Sequence, residues 1–187
     1  LEFGGGLFIG THGGGVVRLS GDELEIFRKA EGLPDDRVWT LVNVLDPAGK
    51  PTLLAGTQGG LAAFDGRRFV PFRPDAVPTG LSVNGVLPSR DPAGRPVLWV
   101  SAFGTGVFRL SAEGAILYDR DRGLPSPFVT SLAETVNARG ERILWIGTAA
   151  GLALIADGQM TVVDQRRGLP APEVYALFVS PRSPEGP

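Results

Sequence analysis

A five-residue stretch that keeps returning limits what this chain can fold into more than any other feature. Leu7-Phe8-Ile9-Gly10-Thr11 reappears as Leu53-Leu54-Ala55-Gly56-Thr57, Leu98-Trp99-Val100-Ser101-Ala102 and Leu144-Trp145-Ile146-Gly147-Thr148, at spacings of 46, 45 and 46 residues. A second landmark, Gly15, Gly60, Gly106 and Gly151, keeps the same period with spacings of 45, 46 and 45. A third, Gly-Leu-Pro, stands at 32–34, 123–125 and 168–170 and degrades to Ala76-Val77-Pro78 in the second unit. Three landmarks on one period are the signature of a repeat architecture. They divide the chain into units 7–52, 53–97, 98–143 and 144–187.

Each unit holds four short strand-like stretches separated by turn residues. In the last unit these are 144–148, 152–156, 160–163 and 174–179, with Asp157-Gly158 as a hairpin turn between the second and third, as Asp65-Gly66 is in the second unit. Proline sets φ for a turn after each Gly-Leu and pushes the residue before it to extended geometry, so no helix of useful length fits between these punctuations. Leu144-Trp145-Ile146 and Val38-Trp39-Thr40-Leu41-Val42 read as nearly continuous apolar runs. That pattern belongs to strands covered on both faces. An all-β β-propeller follows, with four four-stranded blades visible as part of a larger ring. Trp99, Trp145 and their counterparts Phe8 and Leu54 are then core residues between blades.

Composition narrows the function. The 187 residues are 43% hydrophobic and 20% charged, which excludes a disordered tail. Eighteen Lys and Arg against twenty Asp and Glu leave a net charge of −2, so no overall field draws the chain to nucleic acid or an anionic membrane. The absence of Cys excludes disulfides, thiolate metal sites and a cysteine nucleophile, and a single His disfavours zinc. Nothing calls for a cofactor, and no apolar run reaches the length of a membrane helix. Beginning at Leu1 without Met, the chain reads as a piece of something longer.

The motifs resemble the two-component regulator propeller repeat, whose units run Gly-Leu-Pro, a Val–Leu strand, an Asp–Gly hairpin, then Leu-Trp-Ile-Gly-Thr and Gly-Leu. Residues 123–152 match best, through Gly123-Leu124-Pro125, Val129, Leu132, Leu144-Trp145-Ile146-Gly147-Thr148 and Gly151-Leu152. The resemblance implies a periplasmic or otherwise extracytoplasmic sensor module of a bacterial membrane-spanning regulator, detecting oligosaccharides or other external signals. It also implies a seven-bladed ring, an immunoglobulin-like domain, a membrane span and a kinase, none of which stands in these four repeats; any phosphotransfer lies elsewhere in the parent protein. In the family, Gly-Leu-Pro leads into the innermost strand and the Leu-Trp strand follows. On that frame the chain begins just before a second strand at Leu7 and ends on an innermost strand, 174–179. That last strand is expected to complete the first blade of the same chain, or of a second copy in a homo-oligomer, unless the remaining blades of the parent chain do so.

Strand alternation brings the loops 11–15, 57–60, 102–106 and 148–151 to the same end of the blades as the Gly-Leu-Pro loops, and the non-repeating polar residues gather there. His12, Gln58 and Phe103 occupy one repeat position with different side chains, as recognition positions do, and Arg37 lies in the adjoining loop. Arg120, Arg122, Arg166 and Arg167 precede Gly-Leu-Pro turns and suit bidentate binding of carboxylate or sulfate, although their alternation with Asp119, Asp121 and Asp164 also suits solvated ion pairs. Three readings remain: a non-catalytic sensor of a polar, oligosaccharide-like ligand, which leads; a structural or protein-interaction propeller fragment; and a polysaccharide-processing enzyme using carboxylates among Asp35, Asp36, Asp75, Asp121 and Glu173.

Overall fold

A computed structural model describes residues 1–45 and 50–180. Among these described residues, sixteen strands form four antiparallel four-stranded sheets. The first holds β1 (Glu2–Phe3), β2 (Gly6–Gly10), β3 (Val16–Ser20) and β4 (Glu23–Phe27). The second holds β5 (Val38–Leu45), β6 (Pro51–Thr57), β7 (Gly60–Phe64) and β8 (Phe69–Pro71). The third holds β9 (Val83–Arg90), β10 (Pro96–Ala102), β11 (Gly106–Ser111) and β12 (Gly114–Tyr118), and the fourth β13 (Val129–Val136), β14 (Arg142–Thr148), β15 (Gly151–Ala156) and β16 (Gln159–Val163). Strands follow one another up and down within every sheet. Each sheet is a propeller blade, and the only helical pieces described are two three-residue 3-10 turns.

The recurring motifs now have physical causes. In Gly-Leu-Pro the glycine adopts a left-handed conformation; at Gly32 (φ 92°) a Cβ would stand 1.9 Å from the Phe69 carbonyl oxygen, so only glycine fits. The leucine that follows plugs the space between two blades: Leu33, Leu124 and the stand-in Val77 are all buried. The threonine closing the Gly-Thr motif clamps the next turn, since Thr11, Thr57 and Thr148 donate to the carbonyls of Gly15, Gly60 and Gly151 at 2.7–2.9 Å. Ala102 makes no such bond.

Three apolar clusters join the blades in succession. Phe8, Val16 and Phe27 of the first sheet pack on Leu53, Phe64 and Phe69 of the second. Leu54 and Leu61 meet Leu98, Val100 and Phe108, and Trp99 and Tyr118 meet Leu144, Ile146 and Ile155. The innermost strands β5, β9 and β13 lie side by side, so the blades fan from a common axis. Among the described residues no comparable packing joins the first blade to the fourth. The blades form an open arc.

Three expectations need correction. Residues 174–179 are not a strand: Val174 is placed as an innermost strand would begin, with its N–H on the Thr148 carbonyl (3.0 Å), but no Leu-Trp strand lies beside it to make a ladder. The first blade is instead completed locally by the two-residue β1, which pairs with β2 at Glu2↔Leu7 and Phe3↔Gly6. Finally, Asp157-Gly158 is a two-residue hairpin with both φ values positive (49° and 74°), whereas Asp65-Gly66 opens a longer turn in which Asp65 accepts from the N–H groups of Arg67 and Arg68.

Candidate ligand-binding face

The loops after β2, β6, β10 and β14 meet the segments entering β5, β9 and β13 at one mouth of the arc. Backbone bonds fix this meeting. His12 forms an antiparallel bridge with Arg37, and the N–H groups of Gln58, Phe103 and Ala149 donate to the carbonyls of Arg37, Ser82 and Phe128 at 3.0, 2.8 and 3.1 Å. His12, Gln58, Phe103 and Arg37 are therefore held at the same end by the ladder itself, on a rigid frame.

Around them lies a row of aromatic rings with polar neighbours. The His12 and Trp39 rings meet edge to face at 5.4 Å, and those of Phe103 and Phe128 lie tilted at 5.1 Å. Trp39 Nε1–H donates to Gln58 Oε1 (3.2 Å), which also accepts from the Ser82 hydroxyl (3.1 Å), so the Gln58 side chain is oriented from two sides. Arg37 makes a two-point contact with Asp35 at 2.9 and 3.3 Å. That bond to the guanidinium holds the Asp35 carboxyl below the usual carboxylate range and raises Arg37 in return. Trp39, Phe103 and Phe128 remain 44%, 50% and 43% exposed.

Trp39, Ser82 and Phe128 escaped the sequence reading. Trp39 was grouped with a buried apolar run, but the ladder shifts register between Val38 and Thr40, and the bulge leaves Trp39 unpaired and exposed at the mouth. A signal was available: the repeat position after the first valine of the innermost strand holds Trp39, Asn84, Thr130 and Tyr175, a variation no shared core demands.

The four arginines before the Gly-Leu-Pro turns stand apart. Arg120, Arg122, Arg166 and Arg167 are exposed, and none forms an ion pair with a described residue. The aspartates between them serve the backbone: Asp119 accepts from the Arg122 N–H and Asp164 from the Arg166 N–H, capping the turn that carries each arginine.

Two clefts open at the opposite end of the blades, away from every residue proposed from sequence. One of about 720 Å³ between the second and third blades is lined by Leu45, Phe72, Pro96 and Leu110 with Arg90 and Arg95 at its edge. The other, about 840 Å³, lies between the third and fourth blades and holds Trp99, Tyr118, Arg109, Glu134 and Arg142. Among the described residues no three His, Cys, Asp or Glu side chains come together to hold a metal ion.

No family model matches the sequence, and neither does any curated protein. Solved structures do. The extracellular domain of the putative hybrid two-component system BT4673 from B. thetaiotaomicron superposes with a TM-score of 0.63 at 20% identity, over 94% of this chain and 23% of that one. That of BT3049 from the same organism gives 0.60 at 17% identity, over 85% and 22%. BBS1N, solved in complex with ARL6DN, gives 0.55 at 11% identity, over 85% and 49%. The chain thus spans less than a quarter of the length of the two extracellular domains it matches, and what it shares with all three is the propeller fold.

Proposed function

We propose that the chain is a non-catalytic sensing module that takes a polar, oligosaccharide-like ligand at the mouth lined by His12, Trp39, Gln58 and Phe103, within an extracytoplasmic signalling protein. The observation that carries the reading is the coupling of exposed rings with oriented polar groups: Trp39 and Phe103 offer apolar faces to the C–H side of a sugar, while Gln58, Ser82, His12 and Arg37 offer donors and acceptors to its hydroxyls. Likeness to extracellular domains of hybrid two-component systems supports the signalling context.

Hydrolysis is disfavoured by the Asp35 carboxylate at the mouth. Arg37 holds the Asp35 carboxyl below the usual carboxylate range, which does not suit a proton donor. The test is calorimetric titration of neutral and acidic oligosaccharides into the chain and into Trp39→Ala and Phe103→Ala. Binding that falls about tenfold in each variant, ~1.4 kcal/mol, supports the mouth as the site. Undiminished binding in both, with loss in Arg109→Ala, transfers the site to the Trp99–Tyr118 cleft.

A further inference from the structure

Two blades carry an arginine at the same repeat position, and among the described residues only one of the two finds a counter-ion. In the first blade Arg18 is paired across the ladder with Phe8 on one side and Glu25 on the other; in the third, Arg109 is paired with Trp99 and Ile116. Directly paired residues emerge on one side of a sheet, so each arginine shares a face with its two partners. Arg18 lies over the Phe8 ring at 5.8 Å and forms an ion pair with Glu25 at 3.6 Å. Where the first blade has Glu25 the third has Ile116, and the Arg109 guanidinium makes no hydrogen bond or ion pair with any described residue.

This half-buried guanidinium faces the cleft of about 840 Å³ between the third and fourth blades. A charge drawn partly out of water is ordinarily paired, because its desolvation is costly. The donors beside it are unused as well. The Trp39 and Trp145 indoles each donate to a side-chain oxygen, whereas Trp99 Nε1–H and the Tyr118 hydroxyl, both in the lining of the cleft, meet no acceptor among the described residues. Neither group is sealed off: the enclosed side-chain polar atoms without a partner are Arg18 Nε and Ser131 Oγ. The Trp99 and Tyr118 rings lie 5.7 Å apart and are largely buried, so their polar tips are held in place.

The carboxylates of the cleft are turned to other partners. Glu134 accepts from Ser89 and Arg142, Asp91 accepts from Arg95 at 2.7 Å and Glu141 from Asn137 at 2.6 Å, while Asp157 is exposed on the β15–β16 turn. The missing acceptor is therefore one that a ligand brings. A carboxylate matches a guanidinium at two points, and the volume is that of a small-molecule site. Beside Arg109, Ile116 is 37% exposed and offers an apolar surface, with Leu144 and Ile155 on the facing blade.

We propose that this cleft is a second binding site, separate from the mouth, for a small organic carboxylate with an apolar body. Arg109 takes the carboxylate, Trp99 and Tyr118 add hydrogen bonds to it, and Ile116 meets the apolar part.

Phenylacetate is the probe. Titrated into the 187-residue chain, it is expected to move the Trp99 indole N–H resonance along one saturable curve at millimolar concentration while the Trp39 indole stays fixed. Phenylacetamide, its neutral counterpart, should bind at least about tenfold more weakly, and Arg109→Gln should weaken phenylacetate binding by a similar factor. Ile116→Glu gives Arg109 the internal counter-ion that Glu25 gives Arg18. It should abolish phenylacetate binding without lowering the melting temperature, which separates loss of the site from loss of the fold. The proposal is overturned if phenylacetate leaves Trp99 unmoved, if the amide binds as well as the acid, or if either variant, once shown to be folded, binds phenylacetate as the wild type does.

Discussion

Individual side chains divide here into those that hold the blades and those left free at the mouth. Phe8 is buried in a cluster of rings, edge to face with Phe64 at 5.3 Å. Phe8→Ala should therefore cost about 3–5 kcal/mol, read by chemical denaturation. Trp39→Ala removes an exposed ring and should change stability by no more than about 0.5 kcal/mol while weakening ligand binding. Equal losses from the two would contradict their assignments. Trp145 was grouped with the core by its repeat position, yet its ring lies on the uncovered face of the last blade with Nε1–H on the Thr135 hydroxyl (2.8 Å), so its removal should cost less than that of Phe8 in a single chain.

Asp91 couples its charge state to the fold. Its side chain is buried and paired with Arg95 at 2.6 Å, and this bond lowers its carboxyl below the ordinary range. A lowered folded-state value means stabilisation that is complete above the unfolded carboxylate pKa, near 4, and lost as pH falls through the folded value. Acid titration of melting temperature should show this limb in the wild type and a flatter one in Asp91→Asn; an unchanged limb would assign the acid sensitivity elsewhere.

At the scale of elements, the repeat made most of the fold legible. Strand positions followed from apolar runs and turn residues because the two middle blades are covered on both sides and the outer two repeat the same pattern of residues. The Gly-Leu-Pro turn is a case where spacing found the element and structure gave the reason: a left-handed glycine against a neighbouring carbonyl, then a plug. Gly32→Ala would drive a Cβ into the Phe69 carbonyl and should cost at least about 1–3 kcal/mol, measurable by thermal melting, whereas Gly21→Ala, with open space around it, should cost less. The strand expected at 174–179 failed for a reason that sequence pattern cannot carry: a strand needs a partner, and this segment has an innermost strand's composition without one. Trp39 was misread because a bulge inverts the side on which a residue emerges, and apolar runs do not show bulges. His12, Gln58, Phe103 and Arg37 came together at the mouth because strand alternation alone sets the end at which their loops emerge; the four other arginines share that alternation but sit on turns away from this group.

For the whole molecule, an open arc of four blades separates two kinds of surface. Its terminal faces are apolar and repeat an interface used three times within the chain, while its mouth is polar, ringed by aromatic side chains and free of that packing. The single histidine gives the most direct measurement of the sensing claim, because its ring protons are a unique nuclear magnetic resonance signal at the edge of Trp39. During titration with an oligosaccharide that binds, the His12 ring and Trp39 indole resonances should shift together in one saturable curve while the Trp99 indole stays fixed; movement of Trp99 with His12 and Trp39 unchanged would contradict a ligand site at the mouth.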